Sequence, residues 1–445
     1  LLRAFAHSKE RTPNYYNDDP ADSFKEHVWI NPFWEDDIGE IIDYMGEDRV
    51  IVGSDWPHME GLEHPKDILA EIENIPLSVQ TKSAYAQGVK LADEFIRRHL
   101  QDHGEYPEKP VIDLWGSQSM RTAGEEFAMA LHLLGVRPVW AEKTQRVDGF
   151  EILPTALLDR PRMDVTLRVS GLFRDIFPTL MSLFDAAIDA LAKREETSDW
   201  NPFAGQLPDP RIFSPAPGHY GMAMDTALDD MGESGRQAAA DAWLAASSWA
   251  FQGGEFNYNH QAISDRVASA DSFIHLQDLA ETDLLAARDY AAHEAGFMAA
   301  NTLFGGSASA YHIDNIDPEN PTARTLQEEL ARVVYARAAN PEWISSMRPH
   351  GFRGAAEIAA TLEHMASFAN LTGMVGDHLF DQFFDQTLGN DEVTSFLRAE
   401  NYDAYLAICD VFSALYDHNL WKSRRNTHID RLQSLTQANT GEQVA

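Results

Sequence analysis

The chain has 445 residues, 44% hydrophobic and 24% charged, which is enough for several domains with a well-buried core. Its formal net charge of -35 would repel a phosphate backbone, which argues against nucleic acid as a partner. A single cysteine, Cys409, excludes an internal disulfide and a zinc site built from several thiolates. No apolar run approaches the roughly 20 residues of a membrane span, and no signal-peptide pattern opens the chain, so we expect a cytoplasmic protein without a membrane partner.

Residues 1–78 predict a single βα step of a parallel sheet. His27–Phe33 and Arg49–Asp55 are short β-rich runs, and the amphipathic stretch Asp36–Met45 predicts a helix between them. One such step does not make a domain. Because the chain begins with Leu1 rather than Met, we interpret it as a fragment of a longer reading frame.

The pattern changes near residue 79 and predicts an α/β region followed by mostly α. In the segment 79–200, the runs VIDLWGS, VRPVWA, GFEILP and DVTLRVS alternate with helices, as in a doubly wound parallel sheet starting near residue 80. In the segment 201–432, helical periodicity dominates from about residue 215, and only Phe273–Asp278 and Ser309–Asp314 indicate strands. Residues 433–445 form a polar tail.

The run VIVGSDWPH places Asp55 at the carboxyl end of an apolar strand, where barrel enzymes keep catalytic groups. The segment His27–Ser78 resembles the C-terminal part of the amidohydrolase-related family, metal-dependent hydrolases and decarboxylases on a (β/α)8 barrel. By that resemblance Asp55 is the aspartate of the eighth strand, which contacts the metal or its water. The other ligands of that family have no counterpart upstream, so the alternative is an inactive barrel remnant.

From Thr81 to Leu432 the chain resembles the C-terminal part of the large subunit of aerobic cobaltochelatase, which is related to the large subunit of magnesium chelatase. Several separated strings carry this resemblance. They are SAYAQGVKLAD, LWGSQSMRTAGEEFAMALHLLGVRPVW, GFEILP, DVTLRVSGLFRDIFP, HLQDLAETDLLAARDYAAHEAGF, NPEWISSMRPHGFRGAAEI and LWKSRRN. We therefore interpret the chain as the C-terminal piece of such a subunit with a foreign hydrolase remnant at its head.

The resemblance implies insertion of Co2+, as substrate ion, into hydrogenobyrinic acid a,c-diamide during cobalamin synthesis. It also implies that ATP is hydrolysed by an AAA+ motor and a second small subunit, and the chain has no Gly-x-x-x-x-Gly-Lys-Ser/Thr loop of its own. One family segment, His-Gly-x-x-Glu-Trp-Leu-Pro-Gly-Lys, has no match here, so we expect the isolated chain to be inactive. The alternative function is a binding module for tetrapyrrole or partner subunits that does not catalyse.

Metal insertion requires a base for the pyrrole protons, ligands for a partly dehydrated cation, and donors for the carboxylate rim of the macrocycle. Arg168, Arg174 and Asp175 flank the end of a predicted strand and are candidates for substrate binding. The alternative is an internal Arg–Asp pair that fixes the strand-to-helix turn. Arg121 and Glu125, one helical turn apart, are expected to pair with each other.

Histidine and aspartate residues in the second half supply the candidate catalytic and metal-binding groups. His275, Asp278 and His293, with Asp283 nearby, are candidates for proton relay or ligation, and the alternative is buried, satisfied polar residues. His312 and Asp314 share one face of a predicted strand and are candidate metal ligands. A third catalytic candidate, His350, lies in the turn PHGFRG, where helix capping is the alternative.

Overall fold

The computed structural model describes Lys9 and residues 19–32, 38–46, 49–51, 82–140, 147–205 and 209–442. In the amino-terminal part, Ile30 and Val50 form an isolated parallel bridge on either side of a helix at Ile38–Met45. The order of the predicted βα step is kept, but the described residues of the two runs form no full strand, and His27 ends a helix that begins at Pro20. Asp55 and the rest of the GSDWPH run lie outside the described residues. No helix within the described ranges is long and apolar enough to cross a membrane.

The ten described strands are β1 Pro110–Leu114, β2 Val136–Trp140, β3 Val147–Ile152, β4 Thr166–Val169, β5 Ile212–Ser214, β6 Trp249–Gln252, β7 Glu255–Tyr258, β8 Ser272–Gln277, β9 Ser309–Asp314 and β10 Thr322–Thr325. Eight of them form one mixed sheet, in the order β10-β9-β8-β1-β4-β5-β6-β7. The five central strands, β9 to β5 in that order, are parallel, and antiparallel strands complete both edges.

Two features of the sheet differ from the sequence-based prediction. VRPVWA and GFEILP were expected in the parallel sheet, but β2 and β3 form a separate antiparallel pair. Their connection is too short for the crossover helix that a parallel pair needs, so the antiparallel pairing follows from chain length. In addition, six of the eight strands of the large sheet lie beyond residue 200, so this sheet joins the two segments that the sequence pattern separates.

The helices of the amino-terminal half are α1 Pro20–His27, α2 Ile38–Met45, α3 Lys82–His103, α4 Gly116–Arg121, α5 Glu125–Leu134, α6 Thr155–Leu158, α7 Gly171–Ile176 and α8 Pro178–Ala192. Those that follow are α9 Asp225–Asp229, α10 Glu233–Ala245, α11 His260–Ser269, α12 Arg288–Tyr290, α13 Gly296–Leu303, α14 Leu326–Val333, α15 Pro341–Met347, α16 Gly351–Thr372, α17 Asp377–Gln386, α18 Asp391–Glu400, α19 Tyr402–Asp417 and α20 Asn426–Glu442. Two π-turns, Ala291–Ala295 and Val334–Ala338, and a 3-10 turn, Arg348–His350, connect some of them.

The sheet separates two hydrophobic cores. On one face, Ile112, Leu167, Ile274 and Tyr311 pack with apolar residues of α3, α5 and α8. The residues next to them in each strand point to the opposite face, because side chains alternate along a strand. That second face carries Val111 and Phe273 near the start of the strands and is covered by α10, α13 and α16. Near the carboxyl ends of the parallel strands, the side chains on this second face are polar.

Candidate functional site

Four polar residues lie side by side across the second face of the sheet. Arg168 on β4 is in register with Asp113 on β1, and His275 on β8 is in register with His312 on β9. Since β1 lies between β4 and β8, the four form a continuous line near the carboxyl ends of the parallel strands, where open α/β sheets bind ligands. All four are buried, with at most 2% of their surface exposed. We call this set the buried polar row.

The π-turn Ala291–Ala295 brings two further side chains onto the row. His293 Nδ1 lies 2.7 Å from Asp113 Oδ2, and Glu294 Oε1 lies 3.3 Å from His312 Nδ1. Neighbouring residues of a regular α-helix point about 100° apart, whereas the wider π-turn lets both side chains reach the same sheet face. Sequence analysis found His293 but missed Glu294.

Asp113 is the charged centre of the row, and sequence analysis missed it. Its carboxylate accepts a hydrogen bond from Trp115 Nε1 at 2.6 Å and lies 3.3 Å from Arg168 Nη1. Burial raises the pKa of Asp113, but His293, which is protonated in the acidic range where Asp113 titrates, and Arg168 outweigh that effect and hold the pKa well below the ordinary value of 3.8. Asp113 is therefore ionised at neutral pH.

His293 and Asp113 have the arrangement of a carboxylate-oriented base. Burial lowers the pKa of His293 below 6.5, more than the nearby Asp113 raises it, so the imidazole is neutral at neutral pH. The contact of Nδ1 with Asp113 is the shortest one at this nitrogen, since Trp115 Nε1 and Arg168 Nη1 each lie 3.1 Å from it. Because Asp113 is ionised, we assign the proton to Nδ1, which leaves Nε2 with the free lone pair. An imidazole held in this way is a suitable general base.

The pKa of His312 is shifted in the opposite direction. Burial lowers its pKa, but Glu294 and, more weakly, Glu329 outweigh that effect and raise it above 6.5. Glu329 also pairs with Arg332 and, at 3.4 Å, with Arg324.

Asp314 lies at the outer end of this ionic network, 3.0 Å from Arg324 Nη1. The two candidate metal ligands, His312 and Asp314, are thus linked through Arg324 and Glu329 rather than by a common contact. Within the described ranges, no group of three or more His, Cys, Asp or Glu side chains is placed to hold a metal ion.

Three buried polar atoms of this cluster have no hydrogen-bond partner among the described residues. They are His275 Nδ1, His312 Nε2 and Glu294 Oε2. The His275 and His312 rings lie 5.5 Å apart between centroids. Most buried polar atoms in proteins have a hydrogen-bond partner, so three atoms without one in a single cluster are typical of a functional site.

Asp278 follows β8 but does not join the row. Its carboxylate forms a two-point ion pair with Arg121, with contacts of 2.7 and 2.9 Å. The expected Arg121–Glu125 pair is therefore wrong, because the loop after β8 brings a better-placed carboxylate. Glu125 instead accepts a hydrogen bond from Asn315 at 2.6 Å. Burial, followed by the charges of Glu126 and Asp278, raises the pKa of Glu125 to about 7 despite that bond.

Arg174 and Asp175 form the internal pair that the sequence offered as the alternative to substrate binding. Arg174 donates from Nε and Nη2 to Asp175 at 2.7 and 3.0 Å. Its Nη1 donates to the carbonyls of Pro215 and Ala216, at 2.9 and 2.8 Å. The pair thus anchors the loop at residues 215–224, which follows the carboxyl end of β5.

His350 lies apart from the row, at the edge of a cleft of about 400 Å³. It precedes α16 but makes no side-chain capping hydrogen bond. The lining of the cleft also includes Asp283, whose two-point ion pair with Arg337 has contacts of 2.5 and 2.8 Å.

Comparison with known proteins gives a consistent result. Residues 72–428 match the family model described as CobN/Magnesium Chelatase. The aerobic cobaltochelatase subunit CobN of Sinorhizobium sp is 38% identical over 372 residues, and its Pseudomonas aeruginosa counterpart is 37% identical over 374. Each alignment covers 79% of this chain but only 29% and 30% of the relative.

A solved structure, the catalytic subunit of cobaltochelatase from Mycobacterium tuberculosis, superposes with a TM-score of 0.76 at 29% identity. The superposition covers 82% of this chain and 32% of that one. The chain therefore spans about three-tenths of the length of these relatives. The family model and the curated relatives together establish that the chain belongs to the CobN/magnesium chelatase family.

Proposed function

We propose that this chain is the carboxyl-terminal part of an aerobic cobaltochelatase large subunit. In this proposal it acts in a cytoplasmic complex that inserts Co2+ into hydrogenobyrinic acid a,c-diamide, while an AAA+ subunit and a second small subunit hydrolyse ATP. The family match and the names of the relatives support this assignment. The observation that carries it chemically is the buried polar row with its His293–Asp113 dyad.

In this proposal His293 accepts protons that leave the pyrrole nitrogens. The neutral imidazole has a free Nε2, and Asp113 stabilises the imidazolium that forms. Arg168, next to Asp113, supplies a fixed positive charge for a carboxylate on the rim of the macrocycle. Base and anchor would thus both contact the carboxylate of Asp113, the base from the π-turn and the anchor from strand β4.

Delivery of the ion is assigned to the imidazoles at the other end of the row. His275 is available as a transient ligand for Co2+, because its Nδ1 has no hydrogen-bond partner among the described residues and lies 3.8 Å from Asp113 Oδ2. His312 and Asp314 remain proposed ligands, but His312 must first lose the proton that Glu294 stabilises. The macrocycle nitrogens bind the ion at the end of the reaction, so the protein needs to supply only temporary ligands.

The organisation of the chain is also part of the proposal. Residues 79–200 and 201–432 are proposed as the two chelatase segments, followed by the tail 433–445. Residues 1–78 are proposed as an amidohydrolase-related remnant. Amplifying the source DNA across Leu77–Thr81 tests whether both parts belong to one reading frame. An intact transcript across this junction would show that the fusion is not an assembly error.

Fragment complementation tests the proposed activity. The purified chain should shift the absorption spectrum of the corrin precursor on binding. Combined with the amino-terminal part of the Sinorhizobium large subunit, the partner subunits, ATP and Co2+, it should restore insertion, and His293→Gln should abolish it. Binding without insertion in the complete mixture would identify a non-catalytic binding module. A chain that neither binds nor inserts would overturn the proposal.

A further inference from the structure

Arg168 is a fully buried guanidinium with weak acceptors. Its Nη1 lies 3.1 Å from His293 Nδ1 and 3.3 Å from Asp113 Oδ1, and that carboxylate already bonds Trp115 and His293. Its Nε reaches Ser247 Oγ only at 3.4 Å. Its Nη2 contacts the thioether sulfur of Met222. A thioether is a poor hydrogen-bond acceptor, so one side of a buried positive charge faces a group that barely compensates it.

Met222 belongs to the loop at residues 215–224, which covers Arg168 at the carboxyl edge of the sheet. Residues 217–221 are exposed, whereas Met222 and Met224 are buried. The base of this loop is held by the bonds from Arg174 to its carbonyls. Its tip is held by Tyr220, whose hydroxyl donates to Asp175 Oδ2 at 2.7 Å. The loop is thus fastened by a few polar contacts and closed by two methionines.

The backbone of the loop contains residues suited to a change of conformation. Gly218 has a φ of 81° and Ala223, which separates the two methionines, has a φ of 50°. An alanine in the left-handed region is strained, and such strain persists only where the surrounding contacts enforce it. Release of the polar contacts at Tyr220 and Arg174 would relieve it.

We propose that the 215–224 loop is a lid and that Met222 occupies the place on Arg168 that a substrate carboxylate takes when the lid opens. This inference rests on the proposed function, because the carboxylates in question are those on the rim of a tetrapyrrole. The guanidinium exchanges a thioether for an anionic oxygen, which is the partner that its charge and geometry favour. Arg174 and Asp175 act on the substrate only through the lid.

Substitutions at Met222 test the lid in two opposite directions. Met222→Gln places an amide oxygen beside Arg168, which should strengthen the closed state and lower the affinity for a carboxylated ligand about tenfold. Met222→Ala removes the competing sulfur and should raise that affinity severalfold. The probe is coproporphyrin, which carries four propionates, compared with its tetramethyl ester in the same solvent. Titrations followed by the porphyrin absorption give the ratio of the two affinities for each variant.

Met224→Ala is the matched control, because it removes a second buried methionine of the same loop. Met224 packs against Trp243 and Gly296 rather than Arg168. It should therefore leave the carboxylate-to-ester affinity ratio within about twofold of the unsubstituted chain. If both Met222 variants also leave this ratio unchanged, the lid proposal is overturned while tetrapyrrole binding stands. If coproporphyrin binds to none of the proteins, the lid and the proposed function both fail.

Discussion

The imidazole of His293 lies 2.7 Å from the carboxylate of Asp113, although the two residues are 180 positions apart in the chain. One comes from the central strand of the sheet and the other from a π-turn above it. Arg168 shares the same carboxylate from the neighbouring strand. The dyad therefore depends on the order of the strands. A substitution at either residue should alter the charges and hydrogen bonds of the other residues in the buried polar row.

Asp113→Asn should destabilise the folded chain strongly, because it leaves Arg168 as a buried charge without its counter-ion. Breaking such a pair costs about 3–5 kcal/mol. Urea unfolding at pH 7 measures the effect, with Asp241→Asn, an exposed residue of α10 bonded to Gln237, as the control. The pKa of Asp113 is lowered, so its contribution is present above pH 3.8 and is lost only below that value. Equal midpoints for the two variants would contradict this prediction.

His293 and His312 should affect opposite ends of the pH–stability profile. The pKa of His293 is lowered, so the unfolded chain takes up its proton first and stability is lost as the pH falls below 6.5. The pKa of His312 is raised, so its contribution is present below pH 6.5 and is lost as the pH rises through its folded-state value. His293→Gln should flatten the acid side and His312→Gln the alkaline side, measured as the free energy of unfolding between pH 5 and 8. The opposite assignment of the two slopes would refute the charge states given above.

Glu125→Gln should make the chain more stable above pH 7. Glu125 keeps its proton up to a pKa of about 7 in the folded chain but loses it near 4.5 when unfolded, so its ionisation opposes folding as the pH rises. Gln keeps the hydrogen-bonding shape without the charge, and the expected gain is about 1–3 kcal/mol at pH 8. Chemical unfolding at pH 5 and pH 8 measures it. The exposed Glu255→Gln on β7 should show no such difference between the two pH values.

Gly171→Ala should displace the tip of the lid at His219 and Tyr220. A Cβ at this position would lie 2.5 Å from the carbonyl oxygen of His219, so the loop must move. Overpacking of this kind costs about 1–3 kcal/mol. Hydrogen–deuterium exchange should become faster at residues 215–224. Gly149→Ala on β3 is the control, since a Cβ there meets nothing within 4 Å, and equal exchange in both variants would exclude the close approach.

Much of the central sheet could be predicted from the sequence, because its strands are apolar runs bounded by turns. The runs containing Asp113, Arg168, His275 and His312 all form strands of that sheet, and α/β alternation is confirmed. Strands β5, β6, β7 and β10 are not predicted by the sequence pattern. They have only three or four residues each, and in β7 exposed polar residues such as Glu255 hide the pattern.

The candidate site could be predicted in part. The sequence identifies Arg168, His275 and His312 as candidates, because each is a polar residue near the end of an apolar run that predicts a strand. Asp113 has the same signal in VIDLW, but its importance depends on which strands flank β1, and a local pattern contains no strand order. Glu294 was missed because its role requires a π-turn, and no periodicity in AAHEAG reveals one.

The position of Asp113 at the start of the α/β region has a consequence for synthesis on the ribosome. Strand β1 is made before both of its neighbours in the sheet, and His293 follows 180 residues later. At about 5–20 residues per second, the carboxylate waits roughly 10–40 s for its imidazole partner. Until Arg168 is made, 55 residues after Asp113, the nascent chain carries an unpaired charge in an otherwise apolar strand. Strand β1 must therefore be kept from pairing with the wrong strands until β8 and β9 have been made. The finished fold shows no trace of this requirement.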